Sequence, residues 1–164
     1  MLTSSRPYNG GFHYNGGFTL VELLAAMTII VLISAIALPL YNQYSERSYR
    51  TEVQADLLAC VQALERFNAV NFTYQGTADT DDDGIADGDV GPIGGDICNP
   101  NSTDLDRYTI NVVAAANTYT LTAAPVADGP MDGDGDLTID DAGNRTWDQN
   151  DNDVIDVGED DWAY

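Results

Sequence analysis

The chain has 164 residues, enough for one modest globular domain and a long helix. It has no lysine; six arginines face 27 acids, and the formal net charge is -21. Such a surface repels phosphate backbones, so nucleic acid is not an expected partner, while divalent cations, high external salt or plain solubility all suit it.

Residues 1–17 are polar and glycine-rich, with YNGGF at 8–12 and again at 14–18. This is not the pattern of a packed element, and it reads as a leader to be removed. No small-residue cleavage site follows the next, apolar run, so a cut must come before it. That run, from Phe18 to Tyr41, is interrupted only by Glu22, a few hydroxyls and Pro39. As a helix it spans about 36 Å, enough for a bilayer core. Pro39 lacks an N–H and should kink the helix or loosen its last membrane turn. A carboxylate in hydrocarbon is costly unless paired. If cleavage follows Gly17, Phe18 acquires an α-amino group, and Glu22 can compensate a positive N-terminus, its own or a neighbour's.

The segment Gly17-Phe18-Thr19-Leu20-Val21-Glu22 resembles the processing site of class III signal peptides, those of type IV pilins and pseudopilins. The resemblance implies that a prepilin peptidase cleaves after Gly17 and methylates Phe18, and that Glu22 supports subunit registration in a filament, with Pro39 further along the assembly helix. It implies other pilin subunits and an inner-membrane assembly platform as partners. The location implied is the inner membrane, crossed once, and then an extracellular pilus of a Gram-negative bacterium. The leader departs from the family pattern: Tyr14, Asn15 and Gly16 stand where Lys or Arg is usual.

Residues 42–70 turn polar without breakers. Val53, Leu57, Cys60, Val61, Leu64 and Phe67 recur at spacings of three and four, one apolar stripe on a helix. The pattern predicts one helix from about Phe18 to Val70, roughly 80 Å long. Residues 71–107 form a long connection dominated by Asp, Gly and Pro, where regular structure is not expected. Cys60 and Cys98 are the only cysteines. In an exported domain they would pair and contribute about 3–4 kcal/mol through loop closure, the alternative being two separate buried thiols.

Within residues 108–164, alternation predicts strands at Tyr108, Ile110 and Val112, at Tyr119 and Leu121, and at Leu137 and Ile139, with a fourth at Trp147. The expected class is α+β: a long N-terminal helix packed on a small antiparallel sheet of three to four strands, the type IV pilin fold. DLLACVQALERFNAVNFTY, YTLTAAP and GNRTWD together are similar to the PilE-type minor pilins of Gammaproteobacteria. Those often carry a cysteine near the C-terminus; EDDWAY here has none.

Three acidic segments are metal candidates. From Asp148, oxygen-bearing residues fall at positions 1, 3, 5, 9 and 12: Asp148, Asn150, Asn152, Asp156 and Glu159. That is the ligand spacing of an EF-hand loop, and calcium is the hard, oxygen-seeking ion it suits. Asp153 stands where the loop wants glycine, and a solvated acidic tail is the bland reading. Asp79, Asp81, Asp83 and Asp87 fall at positions 1, 3, 5 and 9 of a second such segment, with Gly84 at 6 but Val90 at 12. Asp132, Asp134, Asp136 and Asp140 form a third, for which a turn before a strand is the simpler reading.

Nothing supports catalysis. The only histidine, His13, is in the leader, and no nucleophile-base set or phosphate-binding loop is present. The expected function is a minor pilin acting in pilus assembly, with twitching motility and adhesion downstream. The alternatives are a pseudopilin of a type II secretion system and, less favoured by the charge, a pilus-borne DNA-uptake receptor, which would need a basic patch.

Overall fold

The computed structural model describes residues 17–162; of the leader expected over 1–17, residues 1–16, with His13, lie outside the described residues. The first element is α1, Leu20–Asn71. Its start is set by a reciprocal cap. The Thr19 hydroxyl accepts the Glu22 N–H at 3.2 Å, and a Glu22 carboxylate oxygen accepts the Thr19 N–H at 3.0 Å. This Thr-x-x-Glu box satisfies two donors that a helix start leaves free. Pro39 lies inside α1, which continues past it. The end is a left-handed residue: Phe72, at φ 59°, donates its N–H to the Asn68 carbonyl at 2.7 Å.

The described residues divide into two compact units, one up to Tyr41 and one from Asn42. In the first, every described residue is exposed, and the apolar segment has a mean hydropathy of 2.6. It is long and apolar enough to cross a membrane.

In the second unit α1 turns amphipathic and buries Arg50, Val53, Leu57, Cys60, Ala63 and Leu64. Five antiparallel strands follow in the order of the chain: β1 (Val90–Pro92), β2 (Tyr108–Ala114), β3 (Tyr119–Pro125), β4 (Leu137–Asp140) and β5 (Arg145–Trp147). Sequential antiparallel neighbours need only short turns, and the turn between β2 and β3 sets Ala114 opposite Tyr119. Alternation then puts Tyr108, Ile110, Val112, Leu121, Ala123, Leu137 and Ile139 on one face, where they form a single core with the helix stripe. The other face carries Thr109, Asn111, Thr120, Thr122, Thr138 and Thr146, none of them buried.

The long connection after α1 is more regular than its composition predicts. It contains β1 and a short helix α2, Asn101–Asp104. β1 is held by tertiary pairing rather than propensity: Val90 lies opposite Val113 and Pro92 opposite Asn111. Ala78, fully buried, bridges to Gly88 and Ile93 beside it. Cys60 of α1 is bonded to Cys98, with Cα atoms 5.3 Å apart. The bond fastens this connection to the helix.

Candidate functional site

Of the processing and assembly residues, Gly17, Phe18, Glu22 and Pro39 are all exposed. A Glu22 carboxylate oxygen also accepts the Thr19 hydroxyl at 2.9 Å. Thr19 is the residue that sequence reasoning missed, although the Thr-x-x-Glu spacing was there to read.

The segments at Asp79 and Asp148 fold into loops built alike. Asp79, buried, accepts N–H groups from Asp83 at 3.3 Å and Gly84 at 2.8 Å. Asp148, buried, accepts those of Asn152 at 3.1 Å and Asp153 at 2.7 Å. Asp83 then accepts the Ile85 N–H, and Asn152 the Val154 N–H, each at 2.8 Å. The fourth residue is left-handed in both, Asp82 at φ 61° and Asp151 at φ 53°. So is the sixth, Gly84 at 87° and Asp153 at 61°. An aspartate thus adopts the turn for which the loop favours glycine, and its short polar side chain makes that conformation accessible.

The loops differ in what their carboxylates face. In the first, Asp79, Asp81 and Asp87 each bring one oxygen within 4.8 Å of the others, an arrangement capable of coordinating a divalent cation. Asp83 is outside that set. The Asp83 charge, a desolvation contribution and the Asp87 charge push the Asp81 carboxyl above its usual range. Bonds from the Thr80 hydroxyl, at 2.6 Å, and the Thr80 N–H hold Asp87 below it.

The tail loop closes on itself instead. Glu159 accepts the N–H groups of Gln149 at 3.0 Å and Asp156 at 2.8 Å, and the Asn150 and Asn152 amides both donate to Asp156. Asp136 faces this loop across a small cavity lined also by Thr122, Thr138, Asp148, Asp153 and Ile155. Burial, then the charges of Asp151, Asp153 and Asp148, raise its carboxyl.

The third acidic segment is not one loop. Asp134 pairs with Arg50 and accepts the Tyr108 hydroxyl at 2.6 Å, while Arg50 stacks over the Trp147 ring at 4.0 Å. Asp140 accepts the Asn144 side-chain amide at 2.7 Å in the turn between β4 and β5, a bond that lowers its carboxyl. Those contacts are structural.

A membrane-length apolar helix that continues into an amphipathic half packed on an antiparallel sheet is the architecture of the type IV pilins. The prokaryotic N-terminal methylation motif matches residues 13–38. The family described as "Type IV minor pilin ComP, DNA uptake sequence receptor" matches residues 39–138, more than half of the chain. The chain belongs to this family, within the type IV pilin superfamily. It is 43% identical over 49 residues to the "Type IV major alpha-pilin" of Moraxella bovis, covering 30% of this chain and 31% of that protein. It is 35% identical over 60 residues to "Type IV major pilin protein PilA" of Myxococcus xanthus (strain DK1622), covering 37% of this chain and 27% of that one. The matched segments therefore span about a third or less of these curated relatives. No solved structure matches.

The methylation motif implies processing by a prepilin peptidase. Pilins are structural and non-catalytic, and this chain is not an enzyme. The matches support a pilin with a ComP-like minor pilin domain; they do not single out the PilE-type subgroup.

Proposed function

We propose that the chain is a minor subunit of a type IV pilus, acting in assembly, with twitching motility and adhesion downstream. The observation that carries this reading is the helix start. A membrane-length apolar segment has every described side chain exposed and opens on Gly17, Phe18 and Glu22 inside a methylation motif. Such a segment needs lipid first and neighbouring helices afterwards. On this reading residues 1–17 are the leader, cleavage falls after Gly17, and Phe18 is methylated. The inner-membrane platform then draws the subunit into the pilus, where Glu22 compensates a positive N-terminus. The run GNRTWD, with Trp147 and the Cys60–Cys98 bond in the core, supports a PilE-type texture of the head. Calcium at Asp79, Asp81 and Asp87, and at the tail loop, would rigidify the head outside the cell. Sheared pili probed for this chain test the reading: it should be present, and absent when Gly17 is replaced by Glu.

The family match favours a second reading, a DNA-uptake receptor. The charge of -21 opposes it, and the arginines are largely committed. Arg50 pairs with Asp134, Arg107 with Glu52, and Arg145 lies over the Trp162 ring. Gel shifts with short duplex DNA at low salt separate the readings. A shift that weakens as salt rises would favour the receptor, and none at high protein concentration would exclude it.

A further inference from the structure

Between α1, the loop before β4 and the end of β5 lies a polar cavity of about 280 Å3. Its floor is the buried Arg50 guanidinium, paired with Asp134 and stacked over the Trp147 ring. Its rim is exposed and carries both signs of charge: Glu46 and Arg47 of α1, with Gln149 opposite them. Arg47 has partners within the chain and is exposed all the same. Drug-sized molecules occupy about 300–1,000 Å3 in mostly apolar pockets, so this smaller, polar cavity suits a compact charged group.

Position along α1 says where such a group would come from. Glu46 and Arg47 follow Tyr41, the end of the apolar segment, by five and six residues in the same helix. That is about 7–9 Å of helix rise, and a headgroup layer is about 5–8 Å deep on each side of the hydrocarbon. Tyr41 and Tyr44, both exposed, are residues favoured at that boundary. The rim of the cavity therefore follows a bilayer span at the depth of the lipid headgroups.

Charge selects the lipid. At -21 the chain repels an anionic headgroup. A zwitterionic one is not repelled, and it offers a match for each rim charge. Its phosphate suits the fork of N–H donors on Arg47. Its cation suits Glu46, which accepts hydrogen bonds; a primary ammonium can donate them and a trimethylated one cannot. We infer that the cavity holds the headgroup of phosphatidylethanolamine, its phosphate on Arg47 and its ammonium on Glu46, while the chain is in the membrane. The inference rests on the reading of residues 18–41 as a bilayer span and adds the lipid that is recognised beside it. The contact breaks when the subunit leaves the bilayer.

The chain has no lysine, so a carbodiimide can join its carboxylates to an amine only at the lipid or at the chain's own N-terminus. The full-length chain is reconstituted in vesicles of phosphatidylethanolamine and phosphatidylglycerol, coupled, digested and mapped by mass spectrometry. The Glu46 carboxylate and the lipid ammonium form an amide, and the carbodiimide takes up the water lost and becomes a urea. The lipid adduct should concentrate on Glu46 and vanish when phosphatidylcholine replaces phosphatidylethanolamine. In Arg47→Gln it should fall about tenfold, the equivalent of one lost charge contact. An adduct spread over the exposed acids in general would overturn the inference, as would one on Glu46 that Arg47→Gln leaves unchanged. A chain that stays in the vesicles through alkaline extraction and gives no adduct would overturn it too, and would leave the span reading standing. A chain that alkali strips from the vesicles would remove the span reading and the inference together.

Discussion

From Leu20 to Tyr41 helix α1 exposes every side chain, whereas from Asn42 to Asn71 the same helix buries Arg50, Val53, Leu57, Cys60, Ala63 and Leu64. The backbone is alike in both halves. What differs is where the partner of the apolar surface lies. The second half finds its partner within the chain, in strands β2 to β4. The first half is apolar and exposed throughout, with no partner inside the described residues. Its partner must come from outside, as lipid or as a neighbouring helix. A segment built this way is covered only by lipid or by a neighbouring helix.

That contrast can be broken at either half. The largest effect is expected in the first. Glu22→Ala should leave membrane insertion intact and remove nearly all surface pili that depend on this chain. Fractionation and a pilus count check this, and normal pili in normal numbers would contradict it. Next is Asp134→Ala. It removes the carboxylate that pairs with the buried Arg50 guanidinium beside Trp147 and that accepts the Tyr108 hydroxyl. Breaking one side of a buried pair costs about 3–5 kcal/mol, readable in a urea unfolding curve of the detergent-solubilised chain. Removing the disulfide by Cys60→Ala with Cys98→Ala should cost about 3–4 kcal/mol by the same curve, without changing membrane insertion.

Smaller effects sharpen the comparison of the two acidic loops. Asp148 holds two backbone N–H groups, so removing it loosens the tail loop with or without calcium. Asp81 is the cleaner probe, because its carboxylate is crowded by Asp83 and Asp87. Asp81→Asn should raise the melting temperature slightly in chelator and lower it in calcium, each by no more than about 2–4 °C. The same change in both buffers would remove calcium from the account of this loop. Smallest is Asn144→Ala. The bond from Asn144 depresses the Asp140 carboxyl, so its stabilisation is present above the unfolded value of 3.8 and lost as pH falls through the lower folded value. The variant should therefore be less stable at neutral pH and match the parent in strong acid.

Much of this was legible in the sequence because it is periodic. The stripe Val53, Leu57, Cys60, Leu64 repeats at three and four, and Tyr108, Ile110 and Val112 at two; both patterns state which face is buried. Strand β1 was not legible, since Val90-Gly91-Pro92 has no pattern and exists only because β2 pairs with it. Buried Arg50 was hidden for a similar reason. It reads as a solvated charge until Asp134, far along the chain, arrives beside it. In the acidic loops the spacing picked out two sets of oxygen-bearing residues and ranked the tail first. It could not show that the Asn amides and Glu159 would satisfy the tail loop internally, while Asp79, Asp81 and Asp87 converge in the other.

The most direct test of the central claim is a clean deletion in the native bacterium. Surface pili with twitching and type II-dependent secretion would be assayed side by side. Loss of pili with secretion intact is the predicted result, and complementation with the Glu22→Ala chain should fail to restore them. Loss of secretion with pili intact would contradict the account and make the chain a pseudopilin.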